Sequence, residues 1–178
     1  ARIFSSLDHY SNGRAGWNIV TSGINHTAKN FNGTTNANHD LRYDQAEEFV
    51  NISKQLWDSW RGVNTEHLHA AGGFFSEKEP EPINYQGEFY SVKGPLNIEA
   101  SPQGYPLLVQ AGSSEKGTEF ASKHAEVVFT AQNDINDAIT FAHNLKNKVE
   151  QKHGNAHEIV IMPGIFPFIG ETREAAEA

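Results

Sequence analysis

Apolar positions recur along this chain with two periods, and the periods alternate. Between residues 40 and 60, Ala46, Phe49, Val50, Leu56, Trp57 and Trp60 form one stripe at helical spacing, which predicts a long amphipathic helix that Asp40 can cap. Residues 133–153 repeat the pattern with Ile135, Ala138, Ile139, Ala142, Leu145 and Val149 on one face. Shorter helices are predicted over 2–9, closed by Ser11-Asn12-Gly13, over 114–124, opened by Ser114, and from Thr172 to the last residue. Between them lie short β-branched and aromatic runs that read as buried strands: 15–21, 106–112, 126–131 and 158–162, the last extending toward 169.

Strand alternating with helix is the pattern of a parallel sheet with crossover helices, so the fold class is α/β. Four strands make half of an eight-stranded barrel or part of an open sheet. Residues 61–105 interrupt the alternation with Gly72-Gly73, several prolines and a hairpin predicted around Gln86-Gly87. So long a connection implies a lid or an inserted hairpin. The chain opens inside one helical pattern and closes inside another, which reads as a piece of something longer.

Composition narrows the function classes. The 178 residues carry a formal net charge of −8 and gather Lys and Arg into no patch, so a nucleic-acid surface is not expected. The absence of cysteine excludes disulfides, thiolate nucleophiles and Cys-based zinc sites. No apolar run approaches a membrane span and no signal region opens the chain, so the expectation is a cytoplasmic protein with no membrane partner. His67 and His69 are the closest histidine pair, but they lack a metal-site pattern, and no metal is expected. No Gly-x-Ser-x-Gly elbow is present. The adjacent Glu47 and Glu48 read as a solvated helix face.

Three places carry candidate chemistry. Gly112, Ser113 and Ser114 follow an apolar strand and open a helix, where backbone N–H groups and hydroxyls suit a phosphate; an ordinary capped turn is the alternative. Asn18 and Thr21 sit toward the C-terminal end of the first strand, the ligand-facing end in parallel α/β proteins, or else they satisfy neighbouring backbone. Arg42, Tyr43 and Asp44 occupy the first turn of the long helix, within reach of such a phosphate or simply at the surface. Trp57 and Trp60 belong to the helix stripe and are assigned to the core; Trp17, next to Asn18, is expected in the core, with a place near the ligand as the alternative.

The blocks FSSLDHYSNGRAGWNIVTS (4–22), AKNF (28–31), HDLRYDQAEEF (39–49), LWDSW (56–60), GPLN (94–97), SPQG (101–104), QAGSS (110–114), HAEVVFT (124–130) and MPG (162–164) occur in this order. Together they resemble flavin-dependent monooxygenases of the bacterial-luciferase type, in the branch that includes nitrilotriacetate, EDTA, dibenzothiophene-sulfone and long-chain-alkane monooxygenases. The resemblance implies a partial TIM (β/α)8 barrel, about strands 4 to 7, forming one domain over 1–178 with 61–105 as the inserted region. It implies reduced FMN supplied by a separate NAD(P)H:flavin reductase, with molecular oxygen activated as a flavin C4a-peroxide. A small organic substrate is then oxidised, and the protein is expected to be a homo-oligomer. It places Asn18 and Thr21 along the flavin and Tyr43, Ser113 and Ser114 at the phosphate, with Ser22, Gln110 and Gly112 as further candidates. No catalytic acid or base is identified. Flavin contacts from earlier strands would be missing, so weak or no FMN binding by the chain alone is expected unless it dimerises. A non-catalytic flavin- or phosphate-binding relative, or an inactive truncated one, is the alternative.

Overall fold

In the computed structural model, the residues described are 1–22, 26–30, 38–63, 78–154 and 159–177. The pair His67 and His69, Gly72-Gly73, Phe31 of one resemblance block and Ala178 lie outside them. Helix α1 (Arg2–Ser11) leads to strand β1 (Gly16–Asn18), a short α2 (His26–Lys29) and the long α3 (His39–Asp58). A two-stranded hairpin follows, β2 (Tyr85–Gln86) and β3 (Ser91–Val92). Then come β4 (Leu107–Gln110), α4 (Glu115–His124), β5 (Val127–Thr130), α5 (Ile135–His153), β6 (Val160–Pro163) and α6 (Arg173–Glu177).

The main sheet has the order β1-β4-β5-β6 and every pair in it is parallel. The register sets Trp17 beside Leu108, Gln110 beside Val128, and Val128 beside Ile161. Side chains alternate along a strand, so these residues share one face. That face is covered: Leu108 packs with Val50 and Trp57 of α3 and Phe120 of α4, and Val128 packs with Ala121 of α4 and Leu145 and Val149 of α5. Val50, Leu108, Val128 and Leu145 are all essentially inaccessible, each contributing about 1.5–3 kcal/mol of burial. The opposite face leaves Leu107, Phe129, Val160 and Met162 exposed at 39–54%. All three long crossover elements therefore lie on one side, the arrangement of a barrel wall rather than of a doubly wound sheet. The partial-barrel expectation holds.

Local chemistry explains the boundaries. Asn12 takes the left-handed conformation that ends α1 (φ 54°), and Gly13 follows at φ 79°. Asn38, not Asp40, caps α3: its side chain accepts from the Leu41 N–H, while Asp40 sits in the first turn. A helix boundary two residues early is enough to move the cap. Ser114 caps α4 as expected, accepting from the Gly117 N–H at 3.0 Å. The final strand stops at Pro163, and Ile165 to Ile169 are not part of it.

The apolar stripe of α5 is only half buried. Leu145 and Val149 are core, but Ile135 is 70% and Ile139 49% exposed. Lys148 bonds Thr118, and Lys152 bonds Glu119 and Ser122. The C-terminal half of α5 is thus the part laid along the ten-residue α4, and its first turns run past that helix's start. Among the described residues, no helix is long and apolar enough to cross a membrane.

One buried carboxylate fixes the start of β1. Asp8, fully inaccessible near the end of α1, accepts from the Ala15 N–H, the Gln103 N–H and the Gln103 side-chain amide. Burial on its own would raise its pKa, but these bonds outweigh it and hold the carboxyl below its ordinary range.

Candidate functional site

Parallel strands end together, so the segments leaving β1 and β4 meet on one edge of the sheet. The N-terminus of α3 lies over them. Two cavities open at this junction. The first, about 460 Å³, is lined by Asn18, Thr21, Ser22, Arg42, Phe49 and Tyr90 among others. The second, about 380 Å³, is lined by Thr21, His39, Tyr43, Gln110, Gly112, Ser113 and Ser114 among others. They adjoin, since Ile19, Val20, Thr21 and Arg42 line both. Every sequence-derived candidate borders one or the other except Asp44, which is paired instead with Lys116 at 3.2 Å. Asn18 is the last residue of β1, whereas Thr21 lies beyond the strand rather than on it.

The turn after β4 is tightly built. The buried Gln110 accepts from the Gly112 N–H at 2.6 Å through its side-chain oxygen, so this N–H is committed internally. A Cβ at residue 112 would lie 2.5 Å from both the Gln110 amide nitrogen and the Tyr43 hydroxyl. Glycine is required by close approach here, not by a positive φ. Ser114 spends its hydroxyl on the α4 cap and also lies 3.2 Å from His39 Nε2. Ser113 is exposed. Tyr43 is 7% exposed, with its ring between His39 (5.0 Å) and Phe120 (5.7 Å). Its hydroxyl reaches the base of the turn, close to Gly112 and Gly117.

The electrostatics are uniform. No carboxylate lines either cavity among the described residues, although the chain is strongly acidic. Arg42 supplies a cation to both cavities and the start of α4 adds a partial positive charge. Hydroxyls, an imidazole and a phenol complete a donor-rich wall suited to a phosphate or another oxyanion.

Two features went unread in the sequence. His39 borders the second cavity beside Ser114, and no motif singles it out. Glu48 is not solvated: it is 8% exposed and its carboxylate accepts from the backbone N–H groups of Phe89 (3.0 Å) and Tyr90 (2.8 Å) in the hairpin. Glu47 is also engaged, lying 2.9 Å from His124 Nε2 on α4. The close His124 ring holds Glu47 below the usual carboxylate range against the opposing effect of burial. A solvated-face reading fails because both partners lie at least forty residues away in sequence.

The model of the luciferase-like monooxygenases matches residues 1–178. The chain is 50% identical over its whole length to N-acetyl-S-(2-succino)cysteine monooxygenase of Bacillus subtilis (strain 168), covering 40% of that protein. It is 41% identical over its whole length to nitrilotriacetate monooxygenase component A of Aminobacter aminovorans, covering 39% of it. A solved structure of a riboflavin lyase with modified FMN and substrate riboflavin superposes with a TM-score of 0.88 at 32% identity, over 97% of this chain and 39% of that one. The chain thus spans about 40% of the length of the curated relatives it matches.

Proposed function

The chain belongs to the luciferase-like monooxygenase family, and from that membership we propose that it forms the flavin-holding part of a two-component, FMNH2-dependent monooxygenase. The FMN phosphate rests against Ser113 and Ser114, with Thr21, Arg42 and Tyr43 as further donors. Gln110 and Gly112 shape the turn beneath it, and the ring lies toward Asn18 and Ser22.

The observation that carries this reading is the donor set of the second cavity. Hydroxyls, a guanidinium, an imidazole and a helix start converge there, and no carboxylate lines the cavity among the described residues, in a chain of net charge −8. That is the chemistry a phosphate dianion selects. The adjoining first cavity extends the space along the end of β1, where an amide can meet a heterocycle. A relative of matching sequence is named as component A of its enzyme, which supports reduced FMN arriving from a separate NAD(P)H:flavin reductase, a transient partner.

When bound, the reduced flavin would supply the electron pair that reduces molecular oxygen, one oxygen atom passing to a small organic substrate and the other leaving as water. This chain's residues bind the phosphate and orient the ring. We place the protein in the cytoplasm as a homo-oligomer. By itself the chain holds FMN more weakly than micromolar, because it spans about 40% of the length of its relatives and lacks the flavin contacts that further barrel strands give.

The test mixes the chain with a flavin reductase, NADH, FMN and oxygen. Oxygen-dependent modification of an organic acceptor supports the proposal. FMN binding with no turnover on any acceptor moves the chain to the alternative, a non-catalytic flavin-binding relative. No FMN binding even at millimolar flavin refutes both.

A further inference from the structure

The β2–β3 hairpin does not lie loosely on the surface. Glu48, in the middle of α3, sends its carboxylate into the loop between β2 and β3. It accepts from the Tyr90 N–H at 2.8 Å and the Phe89 N–H at 3.0 Å, with a longer contact to Phe89 at 3.3 Å. These are charge-assisted bonds from backbone, and the glutamate is 8% exposed. Gly87 makes the approach possible: a Cβ there would overlap the Glu48 carboxyl and the Tyr85 ring. The hairpin's own pairing is only two residues per strand, too little to hold it in place.

Docking of the hairpin has a consequence for the first cavity. Tyr90, the residue whose N–H is held, lines that cavity together with Phe49, the neighbour of Glu48 on α3. The two rings meet edge-on at 5.9 Å, and Phe49 meets Trp17 edge-on at 6.0 Å. Trp17, Phe49 and Tyr90 thus make a continuous aromatic wall at the end of the cavity away from the serine turn. Phe49 is 45% and Tyr90 37% exposed, so the wall has apolar surface to offer a guest.

We infer that Glu48 is a positioning residue that clamps the hairpin onto α3, making Tyr90 and Phe49 the wall that selects the apolar portion of the organic substrate. The inference rests on reading the adjoining cavities as the monooxygenase site. A flat or extended apolar group packs against the three rings, while an ionic group gains nothing from them.

The experiment uses the whole chain with FMN present and two probes, diphenyl sulfone as an uncharged molecule that presents two aromatic rings and citrate as a polyanion. Binding of each is followed by tryptophan fluorescence for the unmodified chain, Glu48→Gln, Glu48→Ala and Tyr90→Ala. Amide exchange at Phe89 and Tyr90 is read by mass spectrometry in the same samples. Diphenyl sulfone affinity should fall about tenfold in Glu48→Ala and Tyr90→Ala, and less in Glu48→Gln, which keeps one acceptor oxygen; citrate should change by less than about twofold. Exchange at both amides should rise in Glu48→Ala. Equal effects on the two probes, no effect on either, or failure of the unmodified chain to bind diphenyl sulfone each overturns the wall. Unchanged exchange in Glu48→Ala overturns the clamp. FMN titration of the unmodified chain is read separately, so loss of the flavin reading shows itself without altering these outcomes.

Discussion

The Tyr43 hydroxyl lies so close to Gly112 that a Cβ on residue 112 would stand 2.5 Å from it. The long helix and the turn after β4 are therefore in register to within a methyl group, and that contact joins two candidates sixty-nine residues apart in sequence. Substituting Gly112→Ala must push Tyr43, Gln110 or both out of place. The expected cost is about 1–3 kcal/mol of stability from overpacking, with FMN affinity lowered about tenfold. Thermal unfolding and flavin titration measure the two effects.

The two serines of the turn separate structure from binding. Ser114 caps α4 through the Gly117 N–H, so Ser114→Ala should cost about 1 kcal/mol of stability. Ser113 is exposed, and Ser113→Ala should leave stability within about 0.5 kcal/mol while weakening FMN severalfold. Denaturant midpoints for both variants, set beside their flavin titrations, check the contrast.

Asp8 should make the fold acid-labile. Its folded-state pKa lies below the ordinary value, so the stability it contributes is complete above the unfolded carboxyl pKa of about 3.9 and is lost as pH falls through the lower folded value. Asp8→Ala removes that dependence and leaves the N–H groups of Ala15 and Gln103 without their acceptor. A loss of about 2–3 kcal/mol at neutral pH is expected. Urea unfolding between pH 7 and pH 2 follows it; an unaltered pH profile in the variant would contradict the assignment.

His124 should control the titration of Glu47. It sits 3.3 Å from Lys54 Nζ on one side and 2.9 Å from Glu47 on the other. Since the close His124 ring is the chief reason Glu47 lies low, His124→Leu should move the Glu47 carboxyl up toward its ordinary range. Carbon NMR of the glutamate carboxyl, titrated with and without His124, reads this directly.

Much of the architecture was legible because it is local. Helical periodicity located α3 and α5, β-branched runs located the four parallel strands, and Ser114 announced the start of α4. The candidate site was legible for a related reason. In a parallel sheet the strand ends converge, so Asn18 and the Gly112-Ser113-Ser114 turn are brought together by topology alone. What escaped was decided across space. Glu48 looked solvated because its partners, the N–H groups of Phe89 and Tyr90, come from a hairpin whose docking no local pattern encodes. Ile135 and Ile139 continued a faithful apolar stripe, yet α4 is too short to cover them. The α3 cap fell on Asn38 rather than Asp40 because both residue types cap well, and only the helix geometry chooses between them.

The account turns on phosphate recognition at the serine turn, and comparing FMN with riboflavin tests it most directly. The two differ only by the phosphate, so the ratio of their dissociation constants isolates that contact from everything the ring does. FMN should bind this chain at least about tenfold more tightly than riboflavin, a difference of about 1.4 kcal/mol. The preference should shrink toward unity in the Ser113→Ala, Ser114→Ala double variant and on addition of inorganic phosphate. Equal affinity for the two flavins in the unmodified chain would contradict it.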